Sequence, residues 1–329
     1  MIGKYFPIMS SGRPDPAFYF STHSRADAPS AVESRQTQQI RYPAVKFPVS
    51  VIIPSYNREA VLGRAIESVL RQTLAPEEVI VVDDGSSDGT AGLVRRDFPQ
   101  CRYLVQQNRG VSAARNLGIA TATGTWLAFL DSDDEWLPGK LEAQYQALQQ
   151  SSGCRLCHTE EIWIRNGKRV NAMRKHGKSG GWIYQRCLPL CVISPSSVVI
   201  HRNVFHRYGG FDESLPACED YDLWLRICAR EPVAFVEQAQ IIKYGGHDDQ
   251  LSRRYWGMDR FRVKALEKML QSGVLAAPDA AATADMLIEK CRILALGATK
   301  RGAAERAARY EALARRYQSM ASAQGAAVD

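Results

Sequence analysis

Three acidic clusters in this chain have a composition and spacing that suit chemistry. The first, Asp131-Ser132-Asp133-Asp134, directly follows an apolar run at 126–130. Alternate residues of an extended chain point the same way, so Asp131 and Asp133 can face one site and hold a hard divalent cation. Such a cation would share its remaining positions with water and with substrate phosphates. Capping of the next helix is the alternative, but it explains only one or two of these acids.

The other two clusters each leave two interpretations open. Asp83-Asp84 ends an apolar run and precedes a Gly/Ser turn. These carboxylates either stabilise the turn and cap the following helix, or one of them accepts a hydrogen bond from a ligand N–H. Glu219-Asp220 precedes a helical pattern, so it either complements the positive end of that helix or supplies a general base. Asp222 lies on a different helix face and is the competing base.

The elements that must position these clusters alternate along the chain. Apolar strands at 49–54, 79–82, 103–105 and 126–130 are separated by amphipathic helices over 61–70 and 111–122. This order predicts an α/β fold with a parallel sheet covered on both faces, and ligands bind such sheets outside the carboxyl ends of the strands. A helix near 137–150, a hairpin at Asn166-Gly167, a strand at 196–201 and a helix from Glu219 follow.

Composition excludes several classes of protein. The 329 residues carry 42 Lys+Arg and 35 Asp+Glu, a net charge of +7, with 45% apolar and 23% charged residues. These values are typical of a globular chain of about two domains, and not of a coiled coil or a wholly disordered protein. No apolar run approaches the ~18 residues of a membrane helix, and residues 1–20 lack a secretory pattern, so we expect a cytoplasmic protein.

The cysteines suggest no cofactor. Eight irregularly spaced cysteines in such a chain are expected to stay reduced. Cys154-Arg155-Leu156-Cys157-His158 has the spacing of a c-type haem attachment site. Because haem is attached by this route after export, we prefer a strand with small buried thiols.

Four segments in order resemble the nucleotide-binding half of family 2 glycosyltransferases, which are inverting enzymes with the GT-A fold. They are Val49–Arg58 (VSVIIPSYNR), Val81–Ser86 (VVDDGS), Asn108-Arg109-Gly110 leading into Ala114–Gly118 (ARNLG), and Asp131–Asp134 (DSDD). Phe211–Trp224 resembles the acceptor-side motif of the same family, and Tyr244–His247 its later His-containing loop. The resemblance runs to about His247, roughly two-thirds of the chain.

The resemblance implies roles for individual residues on the donor side. Pro54 and Tyr56 would line the nucleoside pocket, and Asp84 would hydrogen-bond the base. Asn108 and Arg115 would help to hold the nucleotide, although Arg115 could equally be a solvated helix residue. Asp131 and Asp133 would form the DxD site for Mn²⁺ or Mg²⁺.

On the acceptor side the resemblance implies a general base and a mobile loop. Asp220 would remove the proton of the attacking hydroxyl, and His247 would contact the metal or the diphosphate. Trp182 and Trp256 could stack on sugars, but a place in the core is the commoner use of each.

The predicted function is therefore a metal-dependent inverting glycosyltransferase that moves a sugar from a nucleoside-diphosphate sugar, UDP being the preferred carrier, to a hydroxyl acceptor. Bacterial-type cell-surface polysaccharide or glycoconjugate synthesis is the expected setting. A nucleotidyltransferase-like enzyme and a catalytically silent binding module are the alternatives. No Gly-rich GxxxxGK[ST] or GxGxxG phosphate loop is present, which disfavours dehydrogenases and P-loop enzymes.

The predicted organisation has three parts: a poorly ordered extension over 1–46, a GT-A domain over 47–250, and a helical region over 251–329. The GT-A domain divides into a nucleotide-sugar half, 47–137, and an acceptor half, 138–250. The tail is basic, with Lys290, Arg292, Lys300, Arg301, Arg306, Arg309, Arg315 and Arg316, and has a weakly apolar face. It could lie on anionic lipid as a peripheral contact at the inner face of the membrane, mediate homo-oligomerisation, or be a solvated appendage. We predict no nucleic-acid partner.

Overall fold

The computed structural model describes residues 47–170, 177–246 and 255–325. The predicted extension over 1–46, the predicted boundary at 250 and His247 lie outside these ranges.

The first half of the sheet is parallel, as its apolar runs predict. Its strands are β1 (Val49–Ser55), β2 (Glu78–Asp83), β3 (Arg102–Val105) and β4 (Trp126–Phe129), in the order β3-β2-β1-β4. Its helices are α1 (Glu59–Leu70), α2 (Thr90–Asp97) and α3 (Val111–Thr121). Leu62, Ile66 and Val69 on the apolar face of α1 are buried against the sheet. The carboxyl ends of β1, β2 and β4 therefore meet at one edge. We call β1–β4 the parallel half.

The sheet continues past β4 with strands of both directions, which we call the mixed half. Its strands are β5 (Glu135–Trp136), β6 (Leu156–Arg165), β7 (Lys168–Val170), β8 (Val199–His201) and β9 (Ala234–Gly245), and the full order is β3-β2-β1-β4-β8-β6-β9-β5. β7 pairs with β6 across the predicted Asn166-Gly167 turn, where both residues have positive φ. β8 is antiparallel to β4 and β6. The mostly parallel sheet is thus confirmed, with antiparallel partners added on one side.

The described residues contain seven further α-helices: α4 (Lys140–Gln150), α5 (Tyr184–Cys187), α6 (Asn203–Tyr208), α7 (Glu219–Cys228), α8 (Asp259–Gln271), α9 (Ala277–Thr299) and α10 (Ala304–Gly325). Helix α4 packs on β6 and β9, α8 on α7, α9 on α5 and α8, and α10 on α9. Helix α9 packs against α5, where the Tyr184 hydroxyl lies 2.8 Å from the Thr283 hydroxyl. Lys290 donates to the carbonyl of Pro189 at 2.9 Å and to Asp259. It is therefore buried rather than part of the basic surface predicted for the tail.

A search of the described helices for a bilayer-spanning segment, judged by length and apolar character, finds no candidate.

Candidate active site

Asp84, at the end of β2, organises the loop that leads into α3. Its Oδ1 accepts from the Gln106 side chain at 2.6 Å and from the Arg109 backbone at 2.9 Å, and its Oδ2 accepts from the Gly110 backbone at 2.8 Å. Gly110 has φ 91°, which a side chain would strain. The carboxylate thus fixes the start of the helix that carries Arg115. A role in binding the nucleotide base stays a prediction for Asp84.

The other predicted nucleoside contacts lie on the same edge of the sheet. Pro54 is buried within β1, whereas Tyr56 and Asn108 are exposed. A cavity of about 450 Å³ adjoins the loop after Tyr56, and Asp133 contributes to its wall together with Asn57, Arg58, Glu59, Ala60, Val61 and Asp88. The structure therefore brings the segment after β1 and the second DxD carboxylate to one cavity.

Arg115 is not a solvated helix residue, because its side chain is only 4% exposed. Its guanidinium donates to Asp131 Oδ1 at 2.7 Å and to Glu219 Oε1 at 2.6 Å. Burial disfavours the charged form, but the two carboxylates outweigh it and raise the pKa of Arg115. The same ion pair outweighs burial at Asp131 and lowers its pKa. Arg115 thus ties the DxD segment to the beginning of α7.

The negative charge of Asp133 is less well compensated by neighbouring cations than that of Asp131. Burial and the neighbouring Asp131 carboxylate raise the pKa of Asp133. Adjacent carboxylates that repel one another are a suitable setting for a divalent cation. No group of three or more His, Cys, Asp or Glu side chains in the described ranges forms a metal site. Asp131 and Asp133 by themselves fit only a cation that takes its other ligands from water and substrate, and metal binding stays a prediction.

Asp134 contacts other protein groups and does not line the cavity. It is buried, accepts from the Ser196 hydroxyl at 2.7 Å, and lies 3.9 Å from the ammonium of Lys243. Burial raises its pKa to about 8. The Ser196 hydroxyl donates this bond to Asp134, and its oxygen accepts from the Asp131 backbone N–H at 3.1 Å. This chain of contacts fixes the backbone of the acidic loop.

The sequence analysis missed three charged residues of the mixed half that lie near this loop. Lys178 contacts Glu161 at 2.8 Å, and both side chains are 4% exposed. Lys243, on β9, has Asp134, Glu161, Asp131 and Asp220 as its electrostatic neighbours, and these acids raise its pKa although burial opposes the charge. Neither lysine belongs to a motif. Pairing of β6 with β9 brings Lys243 near Glu161, whereas Lys178 lies in the segment before α5.

Asp220 and Asp222 differ as candidates for the base. Asp222 is 1% exposed and paired with Arg226 at 2.9 Å and Lys268 at 2.6 Å. Asp220 is partly exposed, and its Oδ2 lies 3.1 Å from the Cys191 Sγ. Burial and Asp220 raise the pKa of Cys191, which therefore stays a thiol able to donate to the carboxylate. Asp220 is thus the more accessible of the two carboxylates, and its role as the base stays a prediction.

Trp182 and Trp256, the two tryptophans considered as sugar-stacking residues, are not in the core. Trp182 is 72% and Trp256 45% exposed, so the expectation that both are buried is wrong. Trp256 lies between the guanidinium groups of Arg260 and Arg306, at 4.6 and 4.5 Å from its ring. These cation–π contacts explain why Trp256 lies at the surface, and no sugar ligand is needed to account for its position.

Two family models match the chain: "Glycosyl transferase family 2" over residues 50–208 and "Glycosyltransferase like family 2" over residues 183–273. Among curated proteins, the Escherichia coli UDP-Glc:alpha-D-GlcNAc-diphosphoundecaprenol beta-1,3-glucosyltransferase WfgD is 36% identical over 184 residues, which are 54% of this chain and 69% of WfgD. An uncharacterized glycosyltransferase of Rickettsia felis is 34% identical over 208 residues, 62% of this chain and 32% of the relative. The chain thus spans about a third of the length of that relative.

Solved structures show the same fold. Staphylococcus aureus TarS 1–349 in complex with UDP-GlcNAc has a TM-score of 0.57 and 16% identity, with 82% of this chain and 92% of that chain covered. A longer TarS structure has a TM-score of 0.57 and 19% identity over 73% of this chain and 43% of that chain. At such identities the likeness concerns the fold alone, which is of the GT-A type.

Proposed function

This chain belongs to glycosyltransferase family 2, and we propose that it transfers a sugar from a nucleoside-diphosphate sugar to a hydroxyl acceptor with inversion at the anomeric carbon. One observation carries the proposal. The Arg115 guanidinium bonds both Asp131 of the DxD segment and Glu219, the neighbour of Asp220. Residues suited to hold the donor and the residue suited to activate the acceptor therefore adjoin one another.

We propose UDP as the donor's nucleotide. WfgD is named for UDP-Glc, and a TarS structure of similar fold contains UDP-GlcNAc. On this chain, the 450 Å³ cavity with Asp133 in its wall lies beside the loop after Tyr56. An exposed tyrosine offers a flat apolar face with a polar tip, which suits contact with a nucleoside.

In the mechanism, Asp220 takes the proton of the acceptor hydroxyl as its oxygen attacks the anomeric carbon. A single displacement of this kind inverts the configuration. The thiol of Cys191 orients the Asp220 carboxylate. Asp131 and Asp133 would hold Mn²⁺ or Mg²⁺, which stabilises the negative charge of the departing nucleoside diphosphate. Arg115 keeps Asp131 ionised and in place.

We further propose a role in polysaccharide or glycoconjugate synthesis on an acceptor carried at a membrane surface. The name of WfgD specifies a diphosphoundecaprenol-linked acceptor. Here, Ile293 and Leu296 are exposed on α9, and Arg292, Lys300, Arg306, Arg309, Arg315 and Arg316 are exposed on or next to α9 and α10. A basic face with exposed aliphatic side chains suits peripheral contact with anionic lipid. Pelleting with anionic but not neutral vesicles tests this placement.

Thermal shift with a panel of sugar nucleotides, with Mn²⁺ and with EDTA, tests the proposed function. At a hundredfold excess over Kd, the right donor should raise Tm by about 5 °C or more. Slow release of UDP from the donor should follow, since an enzyme of this class transfers the sugar to water when no acceptor is present.

Asp133→Ala should lose the Mn²⁺-dependent part of this shift while its own Tm stays near wild type. Asp97→Ala, at an exposed carboxylate at the end of α2, is the matched control and should behave as wild type. A chain that no sugar nucleotide stabilises and that releases no UDP would instead be a silent binding module.

A further inference from the structure

Three cations carried by α3 and by the mixed half lie among the acidic side chains of the site, and two of them are fully engaged. The Arg115 guanidinium is bound by Asp131 and Glu219, and its side chain is 4% exposed. The Lys178 ammonium is bound by Glu161 at 2.8 Å and by the Thr159 carbonyl at 3.2 Å, and its side chain is equally buried. Neither group can turn to a ligand without leaving a buried carboxylate uncompensated.

Lys243 differs from both. Among the described residues, the nearest acidic oxygen to its ammonium is Asp134 Oδ2 at 3.9 Å, beyond hydrogen-bond distance. Within the described ranges, its Nζ makes no hydrogen bond, and the side chain is 22% exposed. An ammonium carries three N–H donors, and here they have electrostatic attraction without a fixed acceptor.

The fold explains why this lysine reaches the site. β9 is antiparallel to β5, and Ile242 lies opposite Glu135, which directly follows the acidic loop Asp131–Asp134. β9 is also parallel to β6, with Lys243 opposite Trp163, and the ammonium lies 5.6 Å from the centre of that indole ring. Both pairings hold the side chain of Lys243 beside the acidic loop.

We propose that Lys243 is a cation that binds the diphosphate of the donor, in place of Arg115, which the family resemblance implied would help to hold the nucleotide. The inference rests on the proposed function, because it requires a nucleoside-diphosphate donor. A lysine recognises phosphate as a compact point charge with rotatable donors, so it needs no preformed fork. The surrounding carboxylates hold the ammonium beside the acidic loop until a phosphate oxygen accepts from it. Arg115 is then a positioning residue for Asp131 and Glu219.

A comparison of UDP with uridine tests this assignment, because only UDP carries the phosphates. Affinities of wild type, Lys243→Met and Lys243→Arg would be measured calorimetrically, once with EDTA and once with Mn²⁺. In Lys243→Met we expect UDP to bind at least tenfold more weakly in both conditions, with uridine affinity within twofold of wild type. Lys243→Arg keeps the charge and should recover most of the UDP affinity.

Lys178→Met is the matched control, since it removes a lysine of the same cluster that is already engaged. It should lower Tm but leave the ratio of UDP to uridine affinity unchanged. If Lys243→Met lowers that ratio by less than twofold while wild type binds UDP, Lys243 is only a counter-ion and the inference is wrong, whereas the proposed function stands. If wild type binds neither UDP nor a UDP-sugar, the proposed UDP donor fails, and this inference with it.

Discussion

In the parallel half of the sheet, the buried Asp83 and Asp84 are satisfied by backbone N–H groups and neutral side chains of the segment between β2 and α3. Asp84 accepts from the backbone of Arg109 and Gly110, and Asp83 accepts from the backbone of Ser86 and from the Tyr103 hydroxyl. In the mixed half, Glu161 and Asp134 instead lie beside lysines. Backbone donors fix a loop, while an ammonium on a flexible stem can also turn to a ligand.

Carboxylates of the two halves therefore have different roles at one edge of the sheet. Carboxylates bound by backbone N–H groups set the shape of the nucleotide-side loops. Carboxylates of the mixed half supply the charge that holds Lys178 and Lys243 in place, and Asp220 adds a partly exposed acid. Substitutions on the two sides should therefore have different signatures, in catalysis on one side and in loop geometry on the other.

The largest effect is expected at Asp220. Asp220→Asn keeps the shape but cannot take a proton, so turnover to a hydroxyl acceptor or to water should fall by about 10²- to 10⁴-fold. UDP affinity should stay within about threefold of wild type, because the residue acts on the acceptor. The measurement is the steady-state release of UDP beside calorimetric UDP binding.

Asp222→Asn is the control for a merely structural effect. Asp222 is buried and paired with Arg226 and Lys268, so its loss should lower Tm and leave kcat per folded molecule within about tenfold. Wild-type turnover in Asp220→Asn, or a greater loss of kcat in Asp222→Asn, would remove Asp220 as the base.

The parallel half could be predicted well from the sequence, because short segments of the chain specify each of its strands and helices. Apolar β-branched runs closed by polar clusters specify β1, β2 and β4, and the spacing of Leu62, Ile66 and Val69 specifies α1. The acidic clusters follow those runs directly, so their place at the sheet edge follows from strand direction alone. Asp131 and Asp133 could therefore be selected without coordinates.

The mixed half was less predictable because its contacts are distant in sequence. The sequence analysis did not predict β9, which carries Glu237 and Lys243 among apolar residues and pairs with β6 through an irregular register. Arg115 is buried only because Glu219, 104 residues later, reaches it. An isolated lysine in a strand belongs to no motif, so only the strand pairing in the structure shows that Lys243 lies beside the acidic loop.

A smaller effect, on stability, is expected at Glu161. Its carboxylate also accepts from the Ser194 hydroxyl at 2.7 Å and from the Trp163 indole at 3.0 Å. Burial alone would raise the pKa of Glu161, but Lys178 and Lys243 lower it to about 2 from its ordinary 4.5. The stabilisation is therefore present above about pH 4.5 and is lost as the pH falls toward 2. Glu161→Gln should cost about 3 kcal/mol at pH 7.

Urea unfolding of wild type and Glu161→Gln between pH 7 and pH 3 checks this. The difference in unfolding free energy should be largest at pH 7 and shrink below pH 4.5. Glu237→Gln, at an exposed position of β9, is the matched control and should stay within about 0.5 kcal/mol of wild type. A gap between wild type and Glu161→Gln that does not change with pH would mean that the lysines do not hold Glu161 ionised.

The smallest effect is expected at Asp84, and it distinguishes the two halves most directly. Asn keeps one acceptor oxygen but presents an NH₂ group in place of the other, so one of the Arg109 and Gly110 backbone N–H groups loses its partner. A lost bond of this kind to a buried charged acceptor costs about 1–3 kcal/mol. Because the carboxylate fixes the loop before α3, UDP affinity should also fall severalfold, with turnover at saturating donor nearly unchanged. Unfolding and UDP titrations of Asp84→Asn measure both quantities, and a loss of turnover as large as that of Asp220→Asn would show that the parallel half takes part in the chemistry.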